Sequence, residues 1–289
     1  MSFPLSSSSS APPPARPPSG PSPSAVADRL RAAGCVFAED EARLLLSTAR
    51  TPDELAAMVD RRVAGLPLEH VLGWAEFCGL RVLVEPGVFV PRRRTEFLVH
   101  QAVDQAVRRA AANRPPTVVD LCCGSGALGA ALAAALGRDG VTVDLHAADV
   151  DPVAVRCARR NVAAFGGRVY RGDLYEPLPA ALRGRVDVLP ANAPYVPTGE
   201  IGLLPAEARA HEPRVALDGG ADGLEVQRRV IAGAPTWLAP GGSLLVETGR
   251  HQAPLTVAAV ARAGLVPRVV VSEESDATVV IGTKPVSTG

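Results

Sequence analysis

From residue 117 onward, compact apolar runs alternate with longer segments whose apolar residues recur at helical spacing. Thr117–Leu121 is such a run, and Ala127–Leu136 follows as a helix. Thr142–Ala148 precedes a helix over Pro152–Phe165, and further runs lie at Arg168–Arg171 and Val186–Leu189. After a long irregular loop come a helix over about Gly223–Leu238, a run at Ser243–Glu247 and a helix over Gln252–Ala263. Two last runs, Val266–Val271 and Ala277–Thr283, flank a polar turn. Short apolar runs bounded by turn residues read as buried strands, and their alternation with helices predicts an α/β fold with a parallel sheet covered on both faces. The closing hairpin adds one antiparallel strand.

The first part of the chain is patterned differently. Residues 1–23 are mostly Ser, Pro and Ala, which bury little apolar surface, and their prolines forbid a helix, so a disordered tail is expected. Residues 24–74 predict a small helical domain. Ser24 can cap a first helix that stops at Gly34, a second runs from Glu39 to Ala49, and Thr51-Pro52-Asp53-Glu54 carries N-cap, first-turn proline and capping-box glutamate for a third. Residues 75–94 predict a linking β-hairpin. Phe77, Leu80, Val82, Val84, Val88 and Val90 supply the strands, and Glu85-Pro86-Gly87 the turn. A helix from about Thr95 to Ala111 opens the main domain, expected to span 95–289.

Charge narrows the function classes. Lys+Arg and Asp+Glu are both 30, so the net charge is zero, which argues against a general polyanion binder and against direct nucleic-acid binding. Arg92-Arg93-Arg94 is the one local basic run singled out. The five cysteines are odd in number and form no C-x-x-C pair, which fits a reducing compartment without a disulfide framework or zinc site. With no apolar stretch long enough to span a bilayer and no secretory signal pattern, a cytoplasmic protein without a membrane or metal partner is expected.

The first βα junction carries chemistry. Val118-Val119-Asp120-Leu121-Cys122-Cys123-Gly124-Ser125-Gly126-Ala127-Leu128-Gly129 contains G-x-G-x-x-G, and Asp149 ends the next strand. Alone this is a dinucleotide fingerprint, which keeps a nicotinamide dehydrogenase open. The glycines let backbone approach a ligand, and Asp149 can accept hydrogen bonds from a ribose diol. Asp120 favours another ligand. An acid at the strand end sits badly beside pyrophosphate but suits S-adenosylmethionine, with its sulfonium and α-ammonium charges. Asp173 ends the following strand, where it could accept from an adenine amino group with Leu174 against the ring. Asp120, Asp149, Asp173 and Asn192 thus fall at the carboxyl ends of successive expected strands, where ligands of such sheets bind.

Residues 191–197 read Ala-Asn-Ala-Pro-Tyr-Val-Pro. Asn192 offers a side-chain oxygen, and Ala193, preceding Pro194, is pushed towards extended backbone so that its carbonyl points in a set direction. Two acceptors side by side fit the two N–H bonds of one planar NH₂ group, and the ring of Tyr195 can lie along it and face a sulfonium. This predicts methyl transfer to a planar nitrogen.

Taken together, these motifs resemble the protein-glutamine N5-methyltransferases of HemK type. The similarity runs from about Pro67 to Thr283. It is carried by Pro67-Leu68-Glu69-His70-Val71-Leu72-Gly73, Glu76-Phe77-Cys78-Gly79-Leu80, Pro91-Arg92-Arg93-Arg94-Thr95-Glu96, the loop Glu212-Pro213-Arg214-Val215-Ala216-Leu217-Asp218-Gly219-Gly220-Ala221-Asp222-Gly223-Leu224, and Glu247-Thr248-Gly249 with Gln252. The chain departs from the family in Ala193 for a proline, Cys122 for the first loop glycine, and Arg93 and Arg94 for a proline and an acid. The resemblance implies a Rossmann-like methyltransferase sheet whose small helical N-terminal domain recognises substrate. It implies S-adenosylmethionine bound at Gly124, Gly126 and Asp149, with Asp173 and Leu174 bordering the adenine; Asp120, from its own position, and Cys122, in the first glycine's place, are expected at the same site. The protein substrate would be a peptide-chain release factor, or a ribosomal protein for a paralogue, with its glutamine held by Asn192, Ala193, Pro194 and Tyr195. Direct transfer needs no covalent intermediate, and no histidine stands at the motif as a general base. A DNA or small-molecule amino-methyltransferase and a non-catalytic donor-binding module are the alternatives.

Overall fold

The computed structural model describes residues 21–110 and 114–286, so residues 1–20 of the tail expected to be disordered over 1–23, and the helix end at Ala111, lie outside the described residues, whereas the tail's last residues, Ser22 and Pro23, begin the first helix. The chain divides into two compact units between Gly65 and Leu66. The first contains α1 (Pro23–Ala32), α2 (Ala38–Thr48) and α3 (Pro52–Val63). Leu30, Leu45 and Val59 are fully buried at its centre, and the buried Arg62 donates to Glu41 at 2.6 Å. The cap of α1 is Ser22 rather than Ser24: its hydroxyl accepts from the Ala25 amide at 3.3 Å, and Pro23 takes the first helical position, where a missing N–H costs nothing. The α3 signal is realised as read, with Thr51 Oγ1 accepting from the Glu54 amide at 3.1 Å.

The second unit opens with α4 (Leu68–Leu72) and the hairpin of β1 (Trp74–Phe77) and β2 (Leu80–Leu83). The hairpin turns at Cys78-Gly79 and not at Glu85-Pro86-Gly87. Both turn residues have positive φ, 50° and 73°, the geometry that matches the twist of two antiparallel strands. Val88 and Val90 are buried outside any strand, because they pack with Ala75, Val84 and Cys157 in one apolar cluster. A short 3₁₀ turn, Arg93–Thr95, leads into α5 (Glu96–Ala110).

Then follow β3 (Thr117–Leu121), α6 (Ala127–Arg138), β4 (Asp144–Asp149), α7 (Pro152–Val162), β5 (Arg168–Arg171) and β6 (Val186–Ala191). The expected irregular loop contains α8 (Ala206–His211) and short 3₁₀ turns. The chain closes with α9 (Glu225–Trp237), β7 (Leu238–Thr248), α10 (Ala253–Arg262), β8 (Val266–Ser272) and β9 (Ala277–Thr283). The seven strands lie in the order β5-β4-β3-β6-β7-β9-β8, with β9 antiparallel to both neighbours. α5, α6 and α7 cover one face and α9 and α10 the other, each over its own apolar cluster.

The strand order creates the site. From β3 the chain steps outward through β4 to β5, then returns to place β6 on the other side of β3. Ligands of open α/β sheets bind outside the strand ends at such a reversal. Leu121 of β3 and Ala191 of β6 are register partners, so the glycine loop and the Asn192 segment leave the sheet side by side.

Candidate active site

A cavity of about 930 Å³ opens over this edge of the sheet. Asp120, Cys122, Gly124, Asp149, Asp173, Leu174, Asn192, Ala193, Pro194 and Tyr195 all line it, whereas Gly126 does not. A β-carbon on Gly126, whose φ is +75°, would stand 3.0 Å from Cβ of Ala158; this glycine lets α6 approach α7 behind the loop. Gly129 serves packing too, since a β-carbon there would meet Asp120 Oδ2 and Leu145 at 3.2 Å. Cys122 occupies left-handed backbone, φ +56°, and burial pushes its thiol pKa up. At a position of this φ, glycine would be unstrained.

Asp120 is 1% exposed and accepts from the Gly129 amide at 3.0 Å. Burial pushes its carboxyl up to about 7; the Gly129 hydrogen bond opposes this and the neighbouring Asp149 adds to it. Asp149 accepts from the Gly124 amide at 2.8 Å and from Asp151 at 2.9 Å, so it shapes the loop while facing the cavity. Its pKa is also raised by burial, against those amides. Two carboxylates and an apolar wall form a pocket that favours a cationic guest. Asp173 is held at 2.5 Å by Arg229 of α9, which lines the cavity as well.

The Asn192 side chain is oriented from α5's first turn. Its Nδ2 donates to Thr95 Oγ1 at 3.3 Å, and the same Thr95 side chain helps hold down the pKa of Glu247. Asn192 Oδ1 and the Ala193 carbonyl accept no hydrogen bond among the described residues. Tyr195 is fastened at both ends. Its hydroxyl donates to Glu247 at 3.3 Å and accepts from Arg94, and its carbonyl accepts from Gln252 Nε2 at 3.0 Å. Burial pushes the Tyr195 phenol up, helped by the adjacent Glu247.

Several residues of this assembly were not singled out for roles from the sequence. Glu247 is 2% exposed, its pKa raised by burial and lowered by Thr95 and Arg94. An acid closing the apolar run Leu244-Leu245-Val246 was a visible signal; its partners, far away in the chain, were not. Gln252 ties Tyr195 to the Asp222 carbonyl at 3.1 Å, and Gly223, φ +75°, lies so close that its β-carbon would be 2.3 Å from the Tyr195 oxygen. The loop 212–224 thereby backs the Asn192 segment, with Val196 donating to Leu217 at 3.1 Å and accepting from Gly219 at 2.9 Å. Arg92 is spent on the buried Glu212. Among the described residues no cluster of His, Cys, Asp or Glu could hold a metal, and no helix is long and apolar enough to cross a membrane.

Residues 79–203 match the family model of the methyltransferase small domain. The release factor glutamine methyltransferase of Geobacter sulfurreducens is 40% identical over 218 residues, covering 74% of this chain and 72% of that protein. The 4-amino-L-phenylalanine/4-methylamino-L-phenylalanine methyltransferase of Streptomyces pristinaespiralis is 38% identical, covering 67% of this chain and 65% of that one. The solved structure of a methyltransferase from Pyrococcus furiosus superposes with a TM-score of 0.50 at 16% identity, over 72% of this chain and 90% of that one, a likeness of fold. A switch-point cavity with an acid behind its glycine loop and two idle acceptors beside a tyrosine thus accompanies long similarity to enzymes of one kind, and the chain belongs to the release factor glutamine methyltransferase family.

Proposed function

We propose that the protein methylates the side-chain amide nitrogen of a glutamine in a peptide-chain release factor, using S-adenosylmethionine. The observation that carries this reading is the pair of unoccupied acceptors, Asn192 Oδ1 and the Ala193 carbonyl, beside the Tyr195 ring in the cavity that Asp120 and Asp149 also line. The donor fits these residues. Asp120 is a buried carboxylate with a raised pKa, which a cationic group would relieve, and Asp149 retains lone pairs for ribose hydroxyls. Cys122, Gly124, Asp173 and Leu174 complete that half, with Gly126 acting behind it. When bound, S-adenosylmethionine supplies an electrophilic methyl group.

The remaining chemistry belongs to the chain. An amide nitrogen is a poor nucleophile, its lone pair delocalised into the carbonyl. Asn192 Oδ1 and the Ala193 carbonyl accept its two N–H bonds, hold the amide in one orientation and draw electron density towards nitrogen, while Pro194 and Tyr195 wall the slot. The product amide loses its extra proton to water, no base being provided. In this proposal the helical unit, with Val36 and Phe37 exposed between α1 and α2, recognises the protein substrate. Cytoplasmic action is part of the same reading and rests on the cysteine usage.

The test is transfer of labelled methyl from the donor to purified release factor, with the modified residue located by mass spectrometry. One methylated glutamine, lost in Asn192→Ala, is expected. Methylation of a ribosomal-protein glutamine would move the substrate and keep the chemistry. Methylation of DNA or of a free aromatic amine, with no glutamine product, would overturn it, as would donor binding without transfer.

A further inference from the structure

Arg94 stands at the acceptor slot, and nothing in the chemistry above uses it. Its Nη2 donates to the Tyr195 hydroxyl, its Nε lies 3.3 Å from the buried Glu247, and its guanidinium carbon is 5.6 Å from the Tyr195 ring centre. Its neighbour Thr95 holds Asn192. Two consecutive residues of one short turn therefore grip the two ends of Asn192–Tyr195, and Arg94 and Tyr195 meet at Glu247. The segment between has only one residue, Pro194, with a ring-locked φ; Ala193 is free of that constraint.

Resting on the function proposed above, we propose that Arg94 is a positioning residue for methyl transfer: it pins the Tyr195 hydroxyl against Glu247 and supplies from the side the stiffness that Ala193 does not supply through the backbone. A cation is required there. Glu247 is buried, and a bidentate guanidinium reaches its carboxylate and the phenol together, which an ammonium does not. Arg94 is half exposed, so its removal opens no core cavity, and the stability of Arg94→Ala is read by denaturant unfolding beside the rates, because Glu247 loses its cation.

The experiment measures kcat and KM for glutamine methylation in wild type, Arg94→Ala, Arg94→Lys, Tyr195→Phe, Ala193→Pro and the doubles R94A/Y195F and R94A/A193P. Donor affinity is measured by calorimetry. In parallel, 3-fluorotyrosine is incorporated and the ¹⁹F line of Tyr195 is assigned by its loss in Tyr195→Phe. Arg94→Ala should lower kcat about tenfold, the loss of one charge-assisted hydrogen bond, with donor affinity within about twofold of wild type. Arg94→Lys should not restore it. In the Tyr195→Phe background the Arg94→Ala effect should shrink below about twofold, and Ala193→Pro should recover part of the loss. The Tyr195 fluorine line should broaden or shift in Arg94→Ala. Effects that multiply in R94A/Y195F, or a raised KM with unchanged kcat, overturn the proposal. If wild type methylates no glutamine, the proposed function fails, and the fluorine line still decides: an unchanged line in Arg94→Ala overturns the pinning role.

Discussion

The Asn192 side-chain amide is held by the Thr95 hydroxyl at 3.3 Å across 97 residues of sequence. With Nδ2 engaged there, Oδ1 is the atom left to face a substrate. Thr95→Val keeps the shape and removes the hydroxyl, so the Asn192 amide is free to flip. Methyl transfer should fall about tenfold with donor affinity unchanged, and Thr95→Ser should retain most activity. Steady-state rates beside donor titration check this; equal rates in Thr95→Val and wild type would exclude the orienting role.

Asn192 itself should matter more. Asn192→Ala removes one of the two acceptors that act on the amide nitrogen, and a single preorganised group of this kind is worth about 10²–10³ in rate. Donor affinity should change far less than kcat, because the donor half of the cavity is built from other residues. A parallel loss of donor binding would place Asn192 in the wrong half.

Asp120 predicts a pH dependence. Its folded pKa, about 7, lies above the ordinary 3.8, so folding favours the protonated form. The stability it contributes is present below about 3.8 and is lost as pH rises through about 7 in the ligand-free protein. A cationic donor prefers the ionised form, so donor affinity should rise with pH up to about 7 and level off above it. Asp149 interacts with the same carboxylate, so the midpoint belongs to the pair. Calorimetric titration from pH 5.5 to 8.5, a span of roughly one and a half units either side, should show this slope in wild type and lose it in Asp120→Asn.

Gly223 is irreplaceable for two reasons. Its φ of +75° disfavours a side chain, and a β-carbon would lie 2.3 Å from the Tyr195 carbonyl and 2.5 Å from Gln252 Nε2. Gly223→Ala should cost about 2 kcal/mol or more in denaturant unfolding and break the Gln252–Tyr195 hydrogen bond, so transfer falls while donor binding persists. Wild-type stability in Gly223→Ala would contradict this.

The sheet was legible because each buried strand is a short apolar run between turn residues, and because helices separate the parallel ones. Asp120, Asp149, Asp173 and Asn192 were legible for the same reason, as polar residues at the ends of such runs. The β1–β2 turn was not. Pro86-Gly87 is strong punctuation, but the turn that closed the hairpin needs two positive φ values, and Cys78 gives no hint of one. Gly126 satisfied a ligand fingerprint yet serves the approach of α6 to α7, a distinction that only the position of Ala158 reveals. Thr95, Arg94 and Glu247 act through partners brought together by the strand order, and spacing along the chain carries no trace of that meeting.

The cavity's two halves have different origins in the chain. Asp120 to Leu174 form one continuous stretch, whereas the slot around Asn192 is sewn together from residues near 94, 195, 223, 247 and 252. Under the proposed function, the methyl supply comes mainly from one stretch, with Arg229 of α9 steadying Asp173, and the choice of recipient is a patchwork. A change at a single stitch, Arg94 or Ala193 for example, falls on the recipient's side of the cavity and leaves the donor's side untouched.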